Sequence, residues 1–306
     1  MDVPAARRGA DDIAVALIGV ACGLGARDSG CGDGPAALRA FGLHRRLADA
    51  GIGLLKDRTL AVAGLAGADA VADICRLVAR LTADAVAANA RFAVVGGDHS
   101  CAAGSWAGAA DALAARGPLG LIWVDAHMDS HTPETTPSGT LHGMPVAALL
   151  GCGGAALTGI ARRVPALDPA HLCLVGVRSF EPEEPALLDS LGVRVFRMED
   201  IRRLGLAAVI REASAIALDG TAGAGISIDL DAIDPGAAPG VGSPVPGGLD
   251  AGELVDAMAR IGRDPRFIGC EIAEYNPALD DGCRTAEIAV RLLEAFLGGP
   301  LSAARR

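Results

Sequence analysis

Lysine is almost missing from this 306-residue chain: Lys56 stands alone, and no G-x-x-x-x-G-K-[ST] pattern surrounds it. That excludes a P-loop and argues against Schiff-base chemistry on a lysine amine. Aromatic residues amount to 3% and the formal charge is −10. The clustered cations and stacking rings of a general nucleic-acid binder are therefore lacking. No apolar run approaches the roughly eighteen residues that a membrane span needs. The eight cysteines include no C-x-x-C pair, in a chain too large to need a disulfide framework, and they read as reduced thiols. The opening twelve residues have arginines and acids but no apolar signal-peptide core, so the expected location is the cytoplasm.

What is present, 51% hydrophobic residues and 41 glycines, suits a compact α/β chain. Short apolar runs recur: 13–20, 92–95, 120–124, 171–175, 193–196, 224–228 and 267–272. Between them lie helical patterns at 36–50, 68–89, 102–115, 206–218, 251–261 and 285–297. Pro35 suits a first helical position, and His44 on that helix reads as structural or solvated. The alternation predicts one domain over 1–306, with 1–11 as a flexible N-terminal segment. Its fold is an open, mostly parallel β-sheet of about eight strands with helices on both faces.

The chemistry is concentrated where apolar runs stop. Leu121-Ile-Trp-Val ends in Asp125-Ala-His127-Met-Asp129, three donors at alternate positions that an extended backbone projects to one side. Phe92-Ala-Val-Val runs into Gly96-Gly-Asp-His99-Ser, and Ala224-Gly-Ile-Ser-Ile into Asp229-Leu-Asp231. In open α/β sheets ligands collect beyond the carboxyl ends of the strands, where all of these residues fall. Pooled, His99, Asp125, His127, Asp129, Asp229 and Asp231 are two imidazoles and four carboxylates. Crowded carboxylates raise each other's pKa, and bound divalent cations reverse that penalty. Six donors exceed one tetrahedral zinc, so two ions sharing carboxylates fit better. The donor types rank Mn²⁺ ahead of Zn²⁺, Ni²⁺ or Fe²⁺. Two such ions can activate a water for metal-assisted hydrolysis.

The segments 96–100, 125–129 and Ser227-Ile-Asp-Leu-Asp-Ala-Ile-Asp-Pro235 closely resemble the three signature motifs of the arginase/ureohydrolase family. The likeness extends from Asp28-Ser-Gly-Cys-Gly-Asp-Gly-Pro35 to Glu274-Tyr-Asn-Pro277. It implies an arginase-like fold and a hydrolase with two Mn²⁺ ions that cleaves a guanidino group to release urea. By position, His99, Asp125, Asp129 and Asp229 would hold one metal. Asp125, His127, Asp229 and Asp231 would hold the other, and Asp129 would also orient the nucleophile. Glu274 would pair with the guanidinium, and His142 would pass a proton to the leaving amine. The likeness also implies a homotrimer or homohexamer, while composition and charge argue against a nucleic-acid or membrane partner.

The loop Thr132–Pro145 resembles the arginase version, and Arg178-Ser-Phe-Glu181-Pro-Glu-Glu184 resembles the segment that places acids near the substrate amino group. Together they imply L-arginine as substrate and L-ornithine and urea as products. Ser138 and Glu184 match the family pattern. His131 and Thr140 stand in place of asparagines, and Glu181 in place of an aspartate; all five are candidate substrate-binding residues. Guanidinobutyrase, agmatinase or a related amidinohydrolase is the alternative within catalysis, and a non-catalytic metal-binding homologue the alternative outside it.

Overall fold

The computed structural model describes residues 14–61 and 67–298. The predicted flexible segment 1–11 lies outside the described residues. Eight strands are resolved: β1 Val15–Ala21, β2 Leu54–Ala61, β3 Arg91–Val95, β4 Leu119–Val124, β5 Leu172–Val177, β6 Arg194–Arg197, β7 Gly223–Asp229 and β8 Phe267–Ala273. All pair in parallel in a single sheet of order β2-β1-β3-β8-β7-β4-β5-β6.

Strand residues alternate between two apolar layers. Ile122 and Val124 of β4 join one, Leu121 and Trp123 the other. The first layer is completed by α1 (Gly34–Phe41), α2 (Leu43–Asp49) and four later helices. The second is completed by α3 (Gly67–Ala87), α4 (Ala102–Leu113), α5 (Pro145–Leu149), α6 (Ala155–Thr158) and α7 (Glu183–Leu191). The four later helices are α8 (Met198–Leu204), α9 (Leu206–Leu218), α10 (Ala251–Gly262) and α11 (Arg284–Leu297). Covered on both faces, central strands must be apolar throughout, which is why they read as continuous runs rather than alternations. Among the described residues no helix is long and apolar enough to cross a membrane.

Three sequence expectations need correction. Strand β2 was not expected, because Lys56-Asp-Arg-Thr59 is polar; it is an edge strand, mostly exposed and paired only with β1. The helix predicted over 36–50 breaks at Gly42, whose φ of 110° closes α1 with its N–H on the Leu38 and Arg39 carbonyls. Helices α7 and α8 occupy stretches for which the sequence pattern predicts no element. His44, by contrast, is structural as expected, its Nε2 lying 2.6 Å from Asp57 Oδ2 on β2.

The strand order matters most at its centre. Strands β3, β8, β7 and β4 are consecutive neighbours in the sheet although far apart in sequence. Their carboxyl ends therefore bring His99, Glu274, Asp229 and Asp125 to one place.

Candidate active site

Strand β4 stops at Val124, so residues 125–129 are not a continuing strand. The three donors converge for a different reason. Asp125 accepts the His127 backbone N–H at 2.7 Å through Oδ1 and the Trp123 Nε1–H at 3.0 Å through Oδ2. Asp129 then takes a left-handed φ of 51°, which turns its carboxylate back to the cluster. Asp229 closes a similar turn, Oδ1 accepting the Asp231 N–H at 2.8 Å. Non-glycine residues held at positive φ concentrate where function demands a geometry that packing alone would not choose. Glu274 is a second such residue, with φ 68°.

All six predicted donors come together, in two groups. His99 Nδ1 lies 3.2 Å from Asp125 Oδ2, 3.1 Å from Asp129 Oδ2 and 3.4 Å from Asp229 Oδ2. His127 Nδ1 lies 3.0 Å from Asp231 Oδ2 and 3.5 Å from Asp125 Oδ1. Asp125 belongs to both groups and turns one oxygen toward each.

Without a cation this arrangement opposes itself. Burial and the Asp125 charge push Asp129 up to about 7. Burial and neighbouring carboxylates likewise raise Asp229 and Asp231. Burial works to strip the proton from His127, but Asp231 and Asp125 outweigh it and hold the imidazole up to about 12. His99 Nδ1 and Asp129 Oδ2 are buried and unpartnered, although only 3.1 Å apart. Buried polar atoms normally find partners, and two that face each other without bonding are what a cation would join. Two divalent cations sharing Asp125 fit this donor set.

A cleft of about 360 Å³ opens above the cluster. Glu274 projects into it, its Oε1 accepting the His99 backbone N–H at 2.9 Å and standing 3.0 Å from His142 Nδ1. Farther out, His131 Nε2 is 3.0 Å from Glu181 Oε2 and 3.5 Å from Glu184 Oε2, and its Nδ1 is 3.2 Å from Thr135 Oγ1. The Ser138 and Thr140 hydroxyls sit 2.6 Å apart on the rim. Every predicted substrate residue thus lines the cleft. A larger groove, about 870 Å³ between α9 and α10, contains none of them.

Burial depresses the His142 pKa, but the hydrogen bond and charge of Glu274 prevail and raise it from 6.5 to about 9. A histidine whose pKa rises on folding stabilises the fold fully below about 6.5 and loses that contribution as pH climbs through about 9. The melting-temperature advantage of the metal-free protein over His142→Asn is therefore expected to be largest near pH 6 and to shrink toward pH 9.5. A pH-independent difference would show that the His142 charge contributes nothing.

Sequence reasoning missed the layer beneath the donors: Trp123 on Asp125, Ser227 Oγ 3.0 Å from His99 Nε2, and Glu271 behind Ser227 at 2.8 Å. A signal existed, since Glu271 is the one charge in the apolar strand Phe267–Ala273.

Comparison with known proteins identifies the family. The sequence model of the arginase family matches residues 13–298. The arginase of Bacillus caldovelox is 39% identical over 299 residues, covering 94% of this chain and 99% of that protein. The crystal structure of Bacillus cereus arginase superposes with a TM-score of 0.88 at 35% identity, covering 95% of this chain and all of the other. Entamoeba histolytica arginase, solved with L-ornithine, gives 0.86 at 26% identity, covering 94% and 99%. The shared parallel sheet, the family match along nearly the whole chain and these relatives lead to one conclusion: the chain belongs to the arginase family of metal-dependent amidine hydrolases.

Proposed function

We propose that this enzyme hydrolyses the guanidino group of L-arginine to L-ornithine and urea, using two divalent cations, Mn²⁺ foremost. The observation that carries the reading is the pair of His/Asp groups sharing Asp125 directly below Glu274. His99, Asp125, Asp129 and Asp229 would hold one ion, and Asp125, His127, Asp229 and Asp231 the other. When bound, such a pair supplies the Lewis acidity that makes water nucleophilic at neutral pH.

The chain's own groups supply the rest. Glu274, 5% exposed, offers a carboxylate to a planar guanidinium, a charge-assisted contact that orients the carbon under attack. Asp129 accepts a proton of the attacking water and fixes its direction. His142, kept protonated at neutral pH by Glu274 and only 3.0 Å from it, is placed to protonate the departing amine. At the outer end Glu181 and Glu184 suit an α-ammonium, while His131, Ser138 and Thr140 suit an α-carboxylate. Assembly as a homotrimer or homohexamer in the cytoplasm completes the reading.

One observation favours a different guanidino substrate: His131 already pairs with both Glu181 and Glu184, so an incoming ammonium must share them. Urea release from arginine, agmatine, 4-guanidinobutyrate and 3-guanidinopropionate, with formamide release from formiminoglutamate, after loading with Mn²⁺, decides between the two. Arginine is expected to lead the panel in kcat/KM by about tenfold or more, the worth of one charge-assisted contact. A lead for agmatine or 4-guanidinobutyrate would overturn the head-group assignment. No turnover of any compound would favour a non-catalytic homologue.

A further inference from the structure

Beneath the candidate metal donors lies a row of polar side chains with no part in the proposed reaction. The sheet register sets Trp123 of β4 beside Ser227 of β7, and Ser227 beside Glu271 of β8. Glu271 is fully buried, and four donors converge on it. Ser105 Oγ at 2.7 Å and Cys101 Sγ at 3.2 Å reach Oε1. Trp106 Nε1 at 3.0 Å and Ser227 Oγ at 2.8 Å reach Oε2. The Trp106 indole can enter only because residue 225 is glycine; a Cβ there would stand 2.0 Å from the ring.

A carboxylate has only lone pairs to offer, and an indole N–H can only donate. Ser227 therefore spends its single hydroxyl proton on Glu271, and what its oxygen presents to His99 Nε2, 3.0 Å away, is an acceptor. The His99 ring is stacked on Trp123, centroids 4.1 Å apart and planes 20° from parallel, which resists exchange of its two nitrogens. Nδ1 faces Asp125, Asp129 and Asp229.

We propose that Glu271 is a positioning residue: acting through Ser227, it fixes the His99 proton on Nε2 and so keeps the Nδ1 lone pair available to a divalent cation. This rests on the reading of His99 as a metal donor. Partners behind a metal-bound imidazole fix its tautomer and commonly govern affinity by about 10- to 100-fold. Here the partner is two residues removed and owes its own orientation to the donors on β7, on α4 and at Cys101 just before it.

The test is Glu271→Leu, which keeps much of the side-chain volume but removes the acceptor of the Ser227 proton; glutamine would not do so, because Oε2 also accepts the Trp106 N–H and an amide oxygen would stay on that side. The Ser227 proton then turns to His99 Nε2, favouring the tautomer protonated on Nδ1. Calorimetric titration of the metal-free full-length protein with Mn²⁺ should show one of two equivalents weakened by about 10- to 100-fold and the other within a factor of about two. In a Ser227→Ala background, where the relay is already cut, Glu271→Leu should add less than about a twofold change. Two equivalents at wild-type affinity in Glu271→Leu overturn the proposal, as does an undiminished effect in the Ser227→Ala background, which would mark a packing role. If Glu271→Leu fails to fold, Ser227→Ala alone carries the test: about a tenfold weaker equivalent supports the relay, and unchanged affinity overturns it. Fewer than two equivalents in the unaltered protein would instead overturn the two-metal reading.

Discussion

Asp129→Ala is expected to cut guanidino hydrolysis by about a thousandfold or more, because in the proposed mechanism it removes a metal donor and the water's proton acceptor together. Asp129 Oδ2 is buried without a hydrogen bond, 3.1 Å from His99 Nδ1, so its position serves something other than the protein's own bonding. Its backbone, at φ 51°, is a complication, since alanine in the left-handed region costs about 1 kcal/mol more than asparagine does. Asp129→Asn is the control: it tolerates the same backbone and changes only the charge. Both variants should be equally inactive. Stability should move the other way in the metal-free protein. An acid raised from 3.8 to about 7 on folding costs stability at every pH above its unfolded value, and the cost grows as pH rises toward 7. Asp129→Asn should therefore melt no lower than the unaltered protein when metal-free at pH 7, yet gain less from Mn²⁺. Activity above about a tenth of the original in Asp129→Asn would remove this carboxylate from the mechanism.

How much of this was readable in the sequence follows from where each residue sits. Strands β1, β3, β4 and β7 are buried almost throughout, and burial on both faces compels apolar runs. Strand β2 is exposed along most of its length, so nothing in its composition distinguishes it from a loop. The donors were legible because carboxylates and histidines follow apolar strands abruptly, a pattern that solvated loops have no reason to keep.

The way those donors are aimed was not legible. The alternation of Asp125, His127 and Asp129 suggested an extended backbone with all three on one side; the real cause is a turn closed by Asp125 and a reversal at Asp129. Periodicity reports a repeating conformation, and a single left-handed residue leaves no period to detect. Nor could sequence reveal that His131 engages Glu181 and Glu184, since residues 131 and 181 meet only when β4 and β5 pair and throw their exit loops together.

Glu274→Gln is expected to lower kcat/KM for arginine by about a hundredfold or more, the usual effect of neutralising one partner of a desolvated charge pair. Both Glu274 contacts in the protein use Oε1, from the His99 backbone N–H and from His142. Glutamine can accept the first of these as well as glutamate does, and it faces a comparable backbone cost at φ 68°. The His99 turn should therefore survive, and with it Mn²⁺ affinity, which calorimetry would show unchanged. What is lost is charge, and two consequences separate this from a general disturbance. Arginine should suffer in KM as well as kcat, because the guanidinium carries its positive charge in the ground state as well as in the transition state. His142 should release its proton at lower pH, because after burial the Glu274 hydrogen bond and charge are what hold it near 9. The basic limb of the activity profile should then move toward the ordinary histidine value of 6.5. Glu274→Ala would add a different injury: the buried His99 N–H would lose its acceptor, and metal affinity would fall along with activity. Only a Glu274→Gln enzyme within about tenfold of the original, with an unmoved basic limb, would show that this carboxylate neither holds the guanidinium nor tunes the acid beside it.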